Sequence, residues 1–383
     1  MQLRSFLLFA GVAGLLGAPR PASAEPSGFA SERFEPSDRG SDWFVSDSLD
    51  FRGSVNVAAG TVFDWSYRPL VLRHADAGKE ETRAVIMDRV LAHAGISALF
   101  RDRFRFALDL PIVIYQDGEG VSQVGAAVRT PSGPGVGDLR LSGDWRALGQ
   151  YGDVFTAALG MRLYVPTGKQ AQLTSDGTFR IAPHLSIAGD GEGLVYAAKL
   201  GFAYRPLDAT FDGRKLGSEA VFSVAAGVRV NDLFVLGPEL YGSSVVTHGT
   251  ALGRRETPLE LLLGLHVNLA QHWQLGSAIG PGLTRGDGTP LMRVLLSVEY
   301  APDVCVDKDG DGICANVDAC PDVDGVKTGE RRTNGCPGDR DHDGVNDKDD
   351  ACREQPGIHS DDPTKNGCPA GTEQEPAKAV KPD

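Results

Sequence analysis

The stretch "RFRFALDLPIVI", Arg103–Ile114, decides the fold. Phe104, Phe106, Leu108, Leu110, Ile112 and Ile114 share one parity, and Arg103, Arg105 and Asp109 the other. An apolar residue at every second position is the period of a strand, whose side chains alternate between two faces. The pattern returns in "LELLLGLHVNL", where Leu259, Leu261, Leu263, Leu265, Val267 and Leu269 oppose Glu260, Gly264, His266 and Asn268. It closes in "LMRVLLSVEY", with Met292, Val294, Leu296, Val298 and Tyr300 against Arg293, Ser297 and Glu299. Soluble strands average about five or six residues, whereas a tilted strand crossing a bilayer needs about nine to eleven. These runs have the membrane length.

Working outward, the same reading predicts twelve segments, near 54–67, 87–99, 103–115, 136–147, 153–165, 178–188, 194–205, 218–230, 233–246, 258–270, 273–284 and 290–301. Their connections alternate. Short ones fall at Arg101-Asp102, Gly149–Gly152, Gly189–Gly193, Asn231-Asp232 and Gln271-His272. Long polar ones include "RHADAGKEETR", "QDGEGVSQVGAAVRTPSGPG" and "PLDATFDGRKLG". Short turns at one end and long loops at the other mark an outer-membrane barrel. The fold class expected is all-β: an antiparallel transmembrane β-barrel of about twelve strands over residues 50–302, followed by a small stabilised stalk. A soluble sandwich is the competing reading, with shorter strands.

Composition agrees. The start, "MQLRSFLLFAGVAGLLGAPRPASAEP", has a basic residue, an apolar run and the small-residue site Ala22-Ser23-Ala24, so residues 1–24 read as a secretory signal peptide. No later apolar run approaches the roughly 18 to 20 residues of a spanning helix, which leaves a closed barrel as the route through lipid. With 48 Gly against 4 Met in 383 residues, the chain suits strands and turns. Residues 25–49, which overlap "SGFASERFEPSDRGSDWFVSDSLDF", lack alternation and form a leader that is a candidate plug or cap of the periplasmic mouth, with a plain disordered leader as the competing reading.

The polar parity lines a lumen: Arg103, Arg105, Asp109, Arg140, Arg162, Arg229, Glu239, Glu260, Arg293 and Glu299, with Asp138, Asp144, Arg146, Lys199, Arg205 and Glu219. Interleaved signs fit either cross-strand pairing in a filled interior or a charged, water-filled path. Enzyme chemistry is not expected. "GPGVGD", Gly133–Asp138, leads into no helix and so is no phosphate cradle, and His184 and His266 face the lumen without an evident serine or carboxylate partner.

The tail differs in kind. Residues 303–383 carry 20 acidic against 10 basic residues, and they hold all six cysteines, Cys305, Cys314, Cys320, Cys336, Cys352 and Cys368. A basic footprint for nucleic acid is missing, and an even cysteine count in an exported chain points to disulfides. Two loops share one frame. Asp307, Asp309 and Asp311 precede Gly312, with Asp318 eleven residues after Asp307. Asp339, Asp341 and Asp343 precede Gly344, with Asp347 within the loop and Asp350 eleven after Asp339. Alternating carboxylates on a glycine turn, with the backbone carbonyls of Ile313 and Val345 at the seventh position, supply the oxygens that Ca²⁺ takes. Helix breakers flank both loops, in "TNGCPG" and "ACREQPG", so these are not EF-hands.

The frame "DxDxDGxxDxxDxC" with "NGCP", repeated from Cys320 to Cys352, resembles thrombospondin type 3 calcium repeats, here over residues 303–369. The leader, twelve strands and this tail together resemble OmpA-family outer-membrane proteins. That resemblance implies Ca²⁺ as cofactor and cysteines paired in order: Cys305–Cys314, Cys320–Cys336 and Cys352–Cys368. It implies an outer-membrane barrel with a periplasmic tail, outer-membrane lipid around it and a periplasmic envelope protein as candidate partner. Ala315 stands where the second loop has Asp347, which weakens the first site. Residues 370–383 read as a Pro/Lys/Glu linker with no peptidoglycan-binding domain after it, so wall anchoring is not carried over. The function expected is an envelope structural protein or passive small-solute pore. The alternatives are an outer-membrane enzyme and a secreted calcium-binding adhesin.

Overall fold

The computed structural model describes residues 28–302 and 309–370, apart from 53–54, 77–78, 120, 124–125, 129–130, 152, 192, 208, 212–213, 231–232, 248–250, 254–255, 270–271, 315–317 and 330–332. The expected signal peptide, Cys305, Asp307 and nearly all of the expected terminal linker lie outside the described residues. Twelve long strands carry the fold: β1 (Val55–Asp76), β2 (Lys79–Phe100), β3 (Phe104–Asp117), β4 (Leu139–Leu148), β5 (Thr156–Val165), β6 (Arg180–Gly191), β7 (Leu194–Ala203), β8 (Glu219–Val230), β9 (Phe234–Val245), β10 (Leu259–Leu269), β11 (Trp273–Pro281) and β12 (Met292–Tyr300).

Each strand pairs antiparallel with the next. β12 returns to β1, from Ala59 opposite Tyr300 to Tyr67 opposite Met292, so the sheet is a closed barrel. Closure leaves no edge, and every ladder bond is made within the wall. A 3-10 turn at Gln170–Gln172 is the helical element among the described residues. Short ribbons, Val121–Gln123 with Ala126–Val128 and Ala209–Phe211 with Arg214–Leu216, fold the long loops.

The alternation is a real partition. Phe106, Leu108, Leu263, Leu296 and Leu200 are exposed on the outside, while Arg105, Asp109, Glu260, Arg293 and Glu299 are buried inside. The first hairpin departs from expectation. Residues 73–83 read as a loop, but β1 and β2 run on to Asp76 and from Lys79. A register shift between Tyr67 and Leu70, with Arg68 at φ 53°, bends the hairpin. Beyond it Leu70, Leu72, Val85 and Ile86 turn onto Phe29, Leu173, Phe211 and Leu216. Strand outside a bilayer needs no apolar outer face, so its polar sequence resembled a loop.

Residues 28–52 run inside the barrel. Phe29 sits in that cluster at the long-loop mouth, Phe34 and Phe44 pack at mid-height with Val62, Tyr241, Leu262 and Leu295, and Trp43, Leu49 and Phe51 reach the short-turn end with Ala188, Val195 and Val235.

In the tail, Cys320 joins Cys336 and Cys352 joins Cys368, at Cα separations of 4.9 and 5.0 Å. Cys314 is also disulfide-bonded. Single bridges, Val326 to Cys336 and Ile358 to Cys368, are the β-pairing described in these units. Ala319 N–H bonds Asn334 O at 2.7 Å, and Ala351 N–H bonds Asn366 O at 2.9 Å, so the copies match bond for bond. With so little core, the cross-links matter. Removing the bridge by C352S/C368S, across a separation of 16 residues, is expected to destabilise its unit by about 3 kcal/mol. Limited proteolysis in urea, comparing cleavage at Arg353 and Lys365 with the parent chain, checks this.

Candidate functional site

Two places gather polar side chains: the lumen, and the acidic loops of the tail. In the lumen the wall supplies charge from alternate positions and the inner segment answers it residue by residue. Glu32 bonds Arg293 at 3.0 Å and lies 3.7 Å from Arg89. Arg33 reaches Glu219 at 2.6 Å. Glu35 accepts from Arg162 at 3.0 Å and from the Tyr164 hydroxyl. Asp38 takes Arg140 at 3.1 Å and Ser142 Oγ at 3.2 Å. Arg39 donates to Asp109 at 2.8 Å, and Gly40 N–H to Glu299 at 2.9 Å. Asp42 pairs Arg229 at 2.9 Å, and Asp47 accepts from both terminal nitrogens of Arg105, Nη1 and Nη2.

The tightest grip is on a turn. Glu239 accepts three successive backbone N–H groups, from Phe44 at 2.6 Å, Val45 at 3.0 Å and Ser46 at 3.1 Å. From β7, two strands along the wall, Lys199 Nζ donates to Val45 O at 2.9 Å. A carboxylate with several N–H donors is a strong contact, because each bond is charge-assisted. Wall glycines make room for this approach. A Cβ on Gly95 would lie 2.6 Å from Arg39 Nε, and one on Gly276 2.8 Å from the Phe44 ring.

Wall charges also pair among themselves. Arg293 binds Asp64 and Glu260, and Arg105 binds Asp144 at 2.9 Å. Burying such charges costs several kcal/mol each unless partners are close, and here they are. Of the lumen residues expected from sequence, Arg105, Asp109, Arg140, Arg162, Glu239, Glu260, Arg293 and Glu299 are buried inside, as are Asp138, Asp144, Arg146, Lys199, Arg205 and Glu219. Arg229 is half-buried beside the short-turn mouth. Arg103 is not in the lumen. Arg101 and Asp102 both take left-handed φ, of 53° and 54°, so the turn extends through Arg103 and leaves it exposed, with β3 starting at Phe104.

Sequence reasoning missed Asp64 and Arg89, although both keep the inward parity of their strands, and missed every partner in the leader. It also saw no carboxylate for His184, whose Nε2 lies 2.9 Å from Asp144. His93 lies 3.3 Å from Asp109, and His266 packs on Phe44 at 4.4 Å. The His184 ring bonds Asp144 and Ala182 O, and His93 Nδ1 faces Asp109; among the described residues neither bonds a hydroxyl nucleophile. Space beside the inner segment includes a cavity of about 200 Å³ at the short-turn mouth, lined by Arg39, Asp42, Arg52, Tyr151 and Arg229.

In the tail, carboxylate oxygens of Asp309, Asp311 and Asp318 converge within 4.8 Å, and so do those of Asp339, Asp341 and Asp343. Gly310 and Gly312 hold φ of 88° and 84°; in the second loop the matching residues are His342 at 62° and Gly344 at 91°. Asp311 and Asp343 each bond the N–H two residues on, of Ile313 and Val345, at 2.8 Å. Both those side chains are buried. Asp350 Oδ1 accepts from Cys352 N–H, and Asp347 accepts from Arg340 N–H at 3.0 Å, outside the converging trio. Asp309 Oδ2, both Asp341 oxygens and Asp350 Oδ2 are enclosed without a hydrogen-bond partner among the described residues. Desolvation and then neighbouring carboxylates, Asp343 and Asp350, push the Asp341 carboxyl above its ordinary pKa. Orphaned, mutually repelling oxygens at this spacing fit a hard divalent cation.

A scan against protein-family models finds no match, and a search of curated proteins finds none. Among solved structures the chain is similar to the COG4313 outer membrane channel from Pseudomonas putida F1, at TM-score 0.48 and 14% identity, over 66% of this chain and 97% of that one. It is similar to the NanC porin at TM-score 0.40 and 9% identity, over 64% and 100%. It is similar to the P. putida toluene transporter TodX at 0.39 and 10%, over 73% and 99%. Likenesses this distant assign no function.

Replacing the carboxylate that holds the turn, by Glu239→Gln, is expected to weaken the hold on the inner segment by about 1–3 kcal/mol, since charge-assisted bonds become neutral ones. Trypsin cleavage at Arg33 and Arg39 in the folded barrel reads this: faster in the variant if the segment is held as described.

Proposed function

We propose that the protein is an integral outer-membrane β-barrel whose lumen is held closed by its own residues 28–52. It is a passive path for small solutes when that segment moves, and it carries a calcium-ordered periplasmic stalk. The observation that carries this is the inversion of the barrel: buried, paired charge inside and a continuous apolar belt outside. Phe106 is 60% exposed, Leu200 63%, Leu263 55% and Leu296 55%. Such a belt is an aggregation hazard in water and the proper surface of a strand in lipid. The even strand number sets both ends of the barrel at the short-turn side, which in outer-membrane barrels is periplasmic.

The stalk reading rests on the repeated frame that resembles thrombospondin type 3 units, the bridged cysteines and the orphaned Asp oxygens. The wider likeness to the OmpA family is part of the same proposal. A non-catalytic role is favoured because His93 and His184 each face a wall carboxylate that also binds an arginine, Arg39 or Arg105.

Three outcomes check this. Leu263→Arg is expected to cost about 2–4 kcal/mol for barrel refolded in lipid vesicles, as for a cation near a bilayer midplane. An exposed site on a soluble protein would shift by only about 0.5 kcal/mol, and urea titration separates the two. In planar bilayers the full-length protein should conduct rarely, and Glu239→Gln should raise the frequency of openings; silence from both, with heat-modifiable gel mobility intact, would leave the structural-protein reading. Chelation of the full chain should speed proteolysis in residues 309–369, added Ca²⁺ should restore protection, and D341N/D343N should abolish that rescue in the second unit.

A further inference from the structure

Buried charge is not spread evenly around the wall. On β2–β7 the buried strand cations are Arg89, Arg105, Arg140, Arg146, Arg162 and Lys199, against Asp109 and Asp144. On β8–β12 and β1 the balance reverses: Glu219, Glu239, Glu260, Glu299 and Asp64 stand against Arg293. These two arcs are consecutive runs of a closed ring, so they face each other across the lumen.

Part of each set is neutralised within the wall, as Arg105 is by Asp144 and Arg293 by Asp64 and Glu260. The rest is answered by the inner segment. Arg162 and Arg140 are met by Glu35 and Asp38. Opposite them, Glu239 is met by three backbone N–H groups, and Glu299 by Gly40 N–H, with Arg39 3.8 Å away. Arg33 on Glu219 follows the same division, with carboxylates of the segment on the basic arc and donors on the acidic one, whereas Glu32 with Arg293, Asp42 with Arg229 and Arg39 with Asp109 cross it.

We propose that the lumen, once residues 28–52 withdraw, passes small zwitterionic solutes of the amino-acid type. The carboxylate is led along Arg140 and Arg162, and the ammonium along Glu239 and Glu299. This rests on the pore reading above. A solute carrying one charge satisfies one arc and leaves the other unpaired, which is the basis of discrimination when charges sit in a confined, poorly solvated passage. The inner segment is then a tethered occupant that the solute replaces.

The test uses the full chain in proteoliposomes, with F34A/F44A to loosen the segment by removing two apolar anchors while leaving every wall charge in place. Entry of labelled alanine is compared with that of lactate and ethanolamine, which match it in size and carry one charge each. Alanine is expected to enter about tenfold faster than either, the factor that one additional charge-assisted hydrogen bond supplies. Adding Arg162→Gln should erase the advantage over ethanolamine, and adding Glu299→Gln the advantage over lactate. Equal entry of all three, preference for a singly charged solute, or indifference to both substitutions would overturn the inference while leaving a pore. No entry of any solute, with heat-modifiable mobility showing a folded barrel, would overturn the pore reading and this inference together.

Discussion

A closed antiparallel sheet settles its own backbone, because each strand bonds the next and the last bonds the first, but it leaves open what becomes of the face turned inward. In a barrel of twelve strands that face encloses arginines and carboxylates away from bulk water. An unpaired charge there is costly enough to unfold a domain of ordinary stability. The pairing of buried charge is therefore the constraint on which the rest depends. Wall pairs such as Arg293 with Asp64 and Glu260 meet part of it. The inner segment meets the remainder, and so its sequence is polar and aromatic where a strand would alternate.

That division explains what could be read in advance. Alternation is local, and each strand shows it: the twelve segments were legible because a residue's face follows from its parity alone. Asp64 and Arg89 obeyed the same rule and could have been found by applying it more strictly. Arg103 obeyed it too and was still misplaced, because two left-handed residues lengthened the turn and the period started one residue later. The leader was a different problem. Glu35 meeting Arg162 and Asp38 meeting Arg140 are contacts between residues 127 and 102 positions apart, and no local period encodes them. The glycines hint at it. Gly95 and Gly276 lie on the inward parity where a side chain would collide with Arg39 or Phe44, and inward glycine in a strand marks a close approach of other chain.

The first hairpin shows the limit of hydropathy from the other side. Its upper half carries no lipid-facing pattern because it stands clear of the bilayer expected here, yet its ladder continues from Val71 opposite Ala84 to Asp76 opposite Lys79. Burial of Leu70, Leu72, Val85 and Ile86 against Phe29, Leu173, Phe211 and Leu216 ties the hairpin, the loops and the start of the inner segment into one apolar cap. The segment is thereby tied to the long-loop end through Phe29 and to the short-turn end by the Asp42–Arg229 pair.

Barrel and tail pose the same electrostatic question and answer it differently. Inside the barrel, carboxylates meet guanidinium groups and N–H donors from the same chain. In the tail the Asp341 carboxyl is pushed up by further carboxylates, Asp343 and Asp350, and its oxygens make no full hydrogen bond among the described residues. Little apolar burial compensates: the two described bridges and the matched turn bonds hold each unit, with Ile313 and Val345 among the few buried apolar side chains. A chain can tolerate converging acids in a folded loop when the counter-charge arrives from outside it. The converging aspartates then make sense as half of a site, in the way that the arginine arc of the lumen is half of one: each is a surface whose charge is completed by something other than its own strand or loop.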